Sequence, residues 1–407
     1  MAALLLALLA ADAPFGGSDA LRSEATGFFR VEHFGPDGGG GQRAGGDDDR
    51  RTGDKRAGKW LLVTPGGRGL FAMGANHVGR YLDEQADDAG LIARHGSREA
   101  AAAFLLRRMR EIGLTAGEAY RPIAPELKEL PWVANARFPF PSKFAFDVFD
   151  PAVRDKLRRS VLTQCEAWRG DPAVIGVAFA DLPVWDGRRV AFYESLPADS
   201  PGGRALAESR AADETDEQFL GRVADWLYAD LKAAVAEGSP GHLFLGERFV
   251  LRMVPDEVLR AVGRHVDLFC TQALILSPRR PPEWQTFQAD GYRREHAIVG
   301  KPLVIVDWAA PFGTAGPLST DRGELRGEER AAAEAAEWLL RAAEEPSVVG
   351  VFKCQLIGRH GNDRWFEGKA KRTYLRDDGT DFPARTALTR EAHAAALEAA
   401  YAAAGAD

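Results

Sequence analysis

The sequence predicts one (β/α)8 barrel of the α/β class, a TIM barrel, preceded by an N-terminal β-hairpin. Three observations carry that expectation. From Leu70 onward, short apolar runs alternate with stretches of helical periodicity, the pattern of a parallel sheet with helices outside it. Eight such runs occur, the number that closes a barrel of this kind. The 407 residues suit such a barrel with loop insertions, and a 45% hydrophobic content supplies a sizeable core.

Residues 1–26 read as a signal peptide or a disordered leader. Met1 to Ala13 form a short apolar run ending in Ala-x-Ala, a pattern a signal peptidase cuts, although no basic leader precedes it. A frayed apolar helix is the equal alternative, so export is only weakly indicated. Gly27 to Phe34 and Lys59 to Pro65 alternate aromatic or branched residues with polar ones and predict the hairpin, within residues 27–69. Between them, residues 35–58 are rich in glycine and charge and predict a flexible insertion. Residues 70–407 then form the barrel. Its strands are expected near Leu70–Val78, Leu114–Glu118, Trp132–Phe138, Val174–Leu182, His242–Phe249, Val266–Leu274, Pro302–Ala309 and Val348–Leu356. Helical spacing covers Ser97–Ile112, Pro151–Arg169, Thr215–Glu237, Arg326–Glu345 and Thr389–Ala403. Ser97, Asp150 before Pro151, and Thr215 with Gln218 read as helix starts, while Tyr120 to Leu130 leaves room for only a short helix.

Composition narrows the function classes. With 52 basic against 59 acidic residues, the chain carries no broad cationic field for a phosphate backbone, so nucleic acid is not an expected partner. No apolar run approaches the roughly 18 residues of a membrane span. Cys165, Cys270 and Cys354 lie far apart, and the histidines form no HxH or HExxH pair, so spacing indicates neither a disulfide framework nor a metal site. No metal and no cofactor are expected, and the oligomeric state is not legible.

In a barrel of this type the active site is built at the carboxyl ends of the strands. Those ends carry Asn76, His77, Glu118, Arg137, Asp181, Glu247, Arg248, Gln272, Asp307 and Gln355. Four are carboxylates, and glycoside hydrolysis needs two facing one cavity. Asp307, Asp181, Glu247 and Glu118 are therefore the catalytic candidates. Asn76, His77, Arg137, Arg248 and Gln272 are candidates for holding substrate. Trp185, Trp284, Trp308 and Trp365 follow strand ends, where indole faces can stack on sugar rings; Trp185 and above all Trp308, beside Asp307, are the expected platforms. Ordinary packing under loops is the competing explanation for each tryptophan, pairing with Arg248 or Arg137 is the competing explanation for Glu247 and Glu118, and binding a sugar hydroxyl or a nearby arginine is the favoured alternative for Asp181.

The segments GFFRVE, GKWLLVTPGGRGLFAMGANHVG, DPAVIGVAFADLPVW, HLFLGERF, HVDLFCTQA and GKPLVIVDWAAPFG, in that order from about Gly27 to beyond Leu356, resemble agarases and related clan A glycoside hydrolases. That resemblance implies retaining hydrolysis of a β-linked galactan. It also implies an Asn-Glu pair ending the fourth strand, with the glutamate as acid/base. Here the pair is Asp181 and Leu182. The family's nucleophilic glutamate falls on Asp307, its asparagine near the end of the sixth strand on Gln272, and its first-strand asparagine matches Asn76. The resemblance thus leads to a carbohydrate-binding barrel with a degenerate catalytic pair. An enzyme using Asp307 and a relocated carboxylate stands against an inactive barrel that binds saccharide or a partner protein, and an unrelated reaction on the same scaffold stays open.

Overall fold

The computed structural model describes residues 15–35, 40–43, 58–82, 90–119, 124–273, 287–308, 324–357, 374–375, 379–381 and 383–406. An antiparallel sheet comes first, from β1 (Ser18–Arg22), β2 (Arg30–Phe34), β3 (Gly40–Arg43), β4 (Lys59–Val63) and β5 (Arg68–Leu70), in the order β1-β5-β4-β2-β3. The expected hairpin is its centre, with Arg30 to Phe34 paired antiparallel to Val63 to Lys59. The sheet is larger than expected at both edges. Ser18–Arg22, inside the segment read as a leader, pairs with β5, and Gly40–Arg43, inside the segment read as a flexible insertion, pairs with β2. Residues 1–14, 36–39 and 44–57 lie outside the described residues.

Seven parallel strands follow: β6 (Ala72–Ala75), β7 (Trp132–Asn135), β8 (Val174–Asp181), β9 (Leu243–Val250), β10 (Phe269–Gln272), β11 (Leu303–Trp308) and β12 (Val348–Lys353), in the order β6-β12-β11-β10-β9-β8-β7. The segment expected as the second barrel strand, Leu114–Glu118, bridges the two ends of this sheet. The amides of Thr115 and Ala116 each bond Met73 O at 2.9 Å, and Ala75 N bonds Gly117 O at 3.0 Å. On its other side, Gly117 N bonds Pro131 O at 2.7 Å and Val133 N bonds Glu118 O at 2.9 Å. These bonds close the (β/α)8 barrel.

Helices α1 (Leu91–His95), α2 (Arg98–Glu111), α3 (Pro151–Glu166), α4 (Gly187–Glu194), α5 (Pro201–Ala211), α6 (Asp216–Gly238), α7 (Asp256–Gly263), α8 (Ala289–Val299), α9 (Glu324–Glu344) and α10 (Pro383–Ala403) accompany the strands. Their starts follow the local chemistry. The Ser97 and Asp150 side chains accept from the amides of Ala100 and Ala152, and Thr215 and Gln218 make both halves of a capping box. Periodicity missed α4, α5, α7 and α8, all of eight to eleven residues, too short to declare a helical period among the loop residues around them. Among the described residues no helix is long and apolar enough to cross a membrane.

Two apolar clusters hold the assembly. The outer one lies between strands and helices, for example Phe244, Phe249 and Phe269 of the sheet with Leu227, Tyr228 and Val262 of the helices. The inner one fills the barrel with Ala72, Val133, Ile175, Leu245, Leu268, Val304, Val306 and Val349, and it runs on into Phe29, Val31, Trp60 and Leu62 of the antiparallel sheet. The antiparallel sheet therefore plugs the amino-terminal end of the barrel, leaving the carboxyl end as the mouth.

A single cation pins that plug. Lys59 of β4 has no exposed surface, and its Nζ donates to Glu345 O at 2.7 Å and Val348 O at 2.9 Å at the start of β12. Burial pulls its ammonium down to about 7, against a smaller opposing pull from Glu345. The unfolded chain, whose lysine titrates near its ordinary value, binds more protons between those two values, so the stability supplied here rises with pH through that window and is smallest at and below pH 7. Replacing Lys59 with methionine leaves two buried carbonyls without their donor. The variant is expected to lose about 2–4 kcal/mol in denaturant unfolding, with the deficit against wild type widening from pH 7 to pH 9.

Candidate active site

Alternation along a strand sends every second side chain into the barrel. In β9 that rule puts Leu243 and Leu245 inside, and it would put Glu247 there too. Gly246 prevents this. Its φ of 72° inserts an extra residue into the ladder, so that Val177 pairs with Phe244 while Ala178 pairs with Gly246. Beyond the bulge, Glu247 faces the helices and Arg248 faces the mouth.

Glu247, a catalytic candidate, is therefore removed from the cavity. It is fully buried behind the sheet, where Oε2 accepts from Trp185 Nε1 at 2.9 Å and Tyr228 Oη at 2.7 Å. Burial pushes its carboxyl up, opposed by Arg189, Tyr228 and Trp185. Trp185 is occupied there as well: the Arg189 guanidinium lies 3.9 Å from its ring centroid, and its N–H is spent on Glu247. It offers no platform to a sugar.

Arg248 has a side chain with no exposed surface, and Nη2 lies 2.6 Å from Asp181 Oδ1. The same Oδ1 accepts from Gln272 Nε2 at 2.8 Å, and Gln272 Nε2 also donates to Arg248 O at 2.7 Å. Nη1 reaches Ala119 O at 3.3 Å. Burial opposes the guanidinium charge, but Asp181 and Asp307 outweigh it and hold the group above its ordinary value. Asp181 arrives through a second register shift, between Ala178 and Asp181 of β8, and its backbone oxygen accepts from Lys143. Leu182, next in sequence, has φ 50° and is 43% exposed. The carboxylate that β8 delivers to the mouth is thus Asp181.

Asp307 comes from a third break in alternation. Val304 and Val306 point inward, and a φ of 62° at Asp307 turns Trp308 outward in place of the next inward position. Asn76 Nδ2 donates to Asp307 Oδ1 at 3.2 Å, while Asn76 Oδ1 accepts from Ala119 N at 3.1 Å. Burial raises the Asp307 carboxyl above the usual carboxylate range; Arg248 works against this and Asp181 adds to it. Those opposing influences place Asp181, Arg248 and Asp307 in one electrostatic unit.

The platform expected at Trp308 is not there. Trp308 is 1% exposed, stacked on Trp338 of α9 with centroids 4.5 Å apart, and Lys353 Nζ sits 4.4 Å from its centroid. Both ring faces are covered. Trp284 and Trp365 lie outside the described residues. Glu118 is fully buried and accepts from the amides of His77 at 2.7 Å and Val78 at 2.6 Å, where it caps the short 3-10 helix Val78–Leu82. Arg137 is exposed, and its backbone N and O bond the Gln164 side chain of α3. His77, Asp307 and Cys354 converge at the mouth, with donor atoms within 4.8 Å of one another. Gln355 is 3% exposed, and its Oε1 has no hydrogen-bond partner among the described residues.

The ten strand-end candidates thus divide. Asn76, His77, Asp181, Arg248, Gln272 and Asp307 meet at one end of the barrel, with Glu118 bound to the His77 amide; Glu247 lies behind the sheet, Arg137 is exposed and Gln355 is buried. Cys354 was overlooked as a site residue because a lone cysteine suggests no metal spacing. Its position one residue past β12, level with Asn76 after β6, was the available signal.

No protein-family model matches the chain, and neither does any curated protein. Solved structures do. An agarase, AgWH50C, superposes with TM-score 0.66 at 17% identity, over 98% of this chain and 69% of that one. BpGH50 gives 0.68 at 14% identity, over 99% and 89%. An exo-β-agarase gives 0.67 at 16%, over 95% and 67%. The chain has the fold of agarase-like glycoside hydrolases.

The bulge at Gly246 can be tested directly. An added Cβ would stand 3.0 Å from both Tyr228 Cε1 and Val266 Cγ1 on a backbone that already disfavours L side chains. Gly246→Ala is expected to destabilise the fold by about 2–4 kcal/mol in urea unfolding, combining about 1–2 kcal/mol of left-handed strain with the close contact.

Proposed function

We propose that the mouth binds a β-linked galactan or its oligosaccharides and hydrolyses it with the aspartate pair Asp307 and Asp181. The observation that carries the reading is the opposite treatment of the two carboxyls. Asp307 is buried, and burial raises its carboxyl above its ordinary value, whereas Asp181 is half-buried and touched by the Arg248 guanidinium and the Gln272 amide. Two carboxyls in such unequal surroundings suit the acid and base of a glycosidase. The galactan assignment rests on the agarase neighbours.

In this reading Asp307 protonates the leaving oxygen. Asp181 activates a water through Oδ2, since both of its side-chain contacts are made by Oδ1. Both groups are aspartates, one methylene shorter than the glutamates implied by the resemblance, and the extra room suits the roughly 6.5–9.5 Å separation of a water-mediated, inverting reaction. The exposed Leu182 is then a bystander at the rim.

One observation favours a catalytically silent saccharide-binding barrel: a guanidinium fills part of the mouth and occupies one oxygen of the presumed base. A single assay decides between the readings. Wild type should release sugar from a β-galactan panel with inversion at the anomeric carbon, followed by NMR. Asp307→Asn and Asp181→Asn should each lower kcat by about 10²–10⁴-fold while saccharide still binds. Activity should fall as pH rises through the raised Asp307 value, because the acid must be protonated to act. Binding without cleavage by wild type would establish the silent barrel. A product of retained configuration would remove the proposed roles of the two aspartates.

A further inference from the structure

The linear sequence offers no metal spacing, yet barrel closure assembles a ligand set. β6, β12 and β11 are neighbours in the sheet, and their carboxyl ends carry His77, Cys354 and Asp307 side by side. One imidazole nitrogen, one thiol sulfur and one carboxylate oxygen lie within 4.8 Å of one another. The backbone beneath them is tied down: Asn76 N bonds Lys353 O at 2.8 Å, and Cys354 N bonds Trp308 O at 2.8 Å. Asn76 also orients the Asp307 carboxylate through its Nδ2, at 3.2 Å. His77 and Asp307 both hold left-handed backbones, each with φ 62°, that a non-glycine residue adopts only when its surroundings impose it.

We infer that His77, Asp307 and Cys354 form a binding site for a thiophilic divalent cation of the zinc class. The donor set selects the metal. Thiolate and imidazole favour zinc, whereas magnesium and calcium take oxygen ligands. Three protein ligands leave a fourth position open toward the mouth, as in zinc sites that hold water or a substrate. Bonds of about 2.0–2.3 Å in a tetrahedron place ligand atoms roughly 3.3–3.8 Å apart, so the side chains close by about 1 Å on binding. The Cys354 thiol, and the Asp307 carboxyl where it is protonated, give their protons to solvent as they become ligands. Asp307 serves both this site and the proposed hydrolysis, so a bound cation takes up the carboxyl needed as acid and stops the reaction. The cation site itself rests on the convergence of the three ligands and stands whether or not sugar is cleaved.

The test uses the full chain, dialysed against a chelator and titrated with cobalt(II) as a spectroscopic stand-in for zinc. One equivalent should produce a thiolate-to-cobalt charge-transfer band in the near ultraviolet, and zinc should displace it. Cys354→Ser should abolish the band, His77→Ala should weaken binding at least about tenfold, and loss of the orienting contact in Asn76→Ala should weaken it about 10–100-fold. Cys165 and Cys270 are buried and serve as internal controls. Because a substituted chain may misfold, zinc should also slow alkylation of Cys354 in the wild type, read by mass spectrometry. Absence of the band, a band that survives in folded Cys354→Ser, or alkylation of Cys354 indifferent to zinc overturns the inference. Galactan hydrolysis is followed in the same samples. A cobalt band without hydrolysis refutes the proposed reaction alone, hydrolysis without a band refutes the cation site alone, and hydrolysis undiminished by a bound cation refutes their coupling through Asp307.

Discussion

The mouth of this barrel depends on the charge of Arg248. A guanidinium without exposed surface cannot be discharged by losing its proton, so it has to be neutralised where it lies. Asp181 does this by contact and Asp307 through its field. Remove the arginine, and two carboxyls share a low-dielectric cavity with nothing between them. Its presence makes their environments unequal, because it touches Asp181 directly and acts on Asp307 only against the stronger effect of burial. That inequality is what gives the pair chemical meaning.

Arg248, Asp181 and Asp307 reach the mouth because strand alternation fails once in each of their strands at the carboxyl ends. A barrel interior is filled by inward layers of branched apolar residues, and here they are Val133, Ile175, Leu245, Val304 and Val349. A regular strand would continue that pattern to its end. The bulge at Gly246, the register shift before Asp181 and the left-handed backbone at Asp307 each re-aim the chain just above the apolar layers. Only Gly246 makes its turn without a Cβ. Asp307 and Leu182 hold left-handed conformations at about 1–2 kcal/mol each relative to ordinary strand geometry. The layers below and the helices behind supply the stability that keeps such positions in place.

This also explains which parts of the sequence were legible. Apolar runs and capping residues depend on local pattern, so all eight barrel segments and the starts at Ser97, Asp150 and Thr215 could be read directly. Direction beyond a bulge could not. By alternation Glu247 belongs in the cavity and Arg248 outside it, and the glycine that reverses them looks in sequence like any other. Trp308 was misplaced for the same reason: an indole beside a mouth aspartate suggests a sugar platform until the left-handed backbone at Asp307 turns it onto Trp338. β1 and β3 escaped notice because an edge strand in a polar segment needs only backbone pairing, which leaves little trace in composition.

The departures from the glutamate pair implied by the resemblance then form one pattern. Leu182 looked like the loss of an acid, but the exposed leucine occupies the rim while its neighbour Asp181 supplies the carboxylate of β8. Asp307 stands where the resemblance places the nucleophile, and burial raises its carboxyl above its ordinary value. Both carboxyls at the mouth are aspartates, and Arg248 touches Asp181 while acting on Asp307 only through its field. In the proposed reaction these departures amount to a different division of labour, in which the buried Asp307 donates and the ion-paired Asp181 receives.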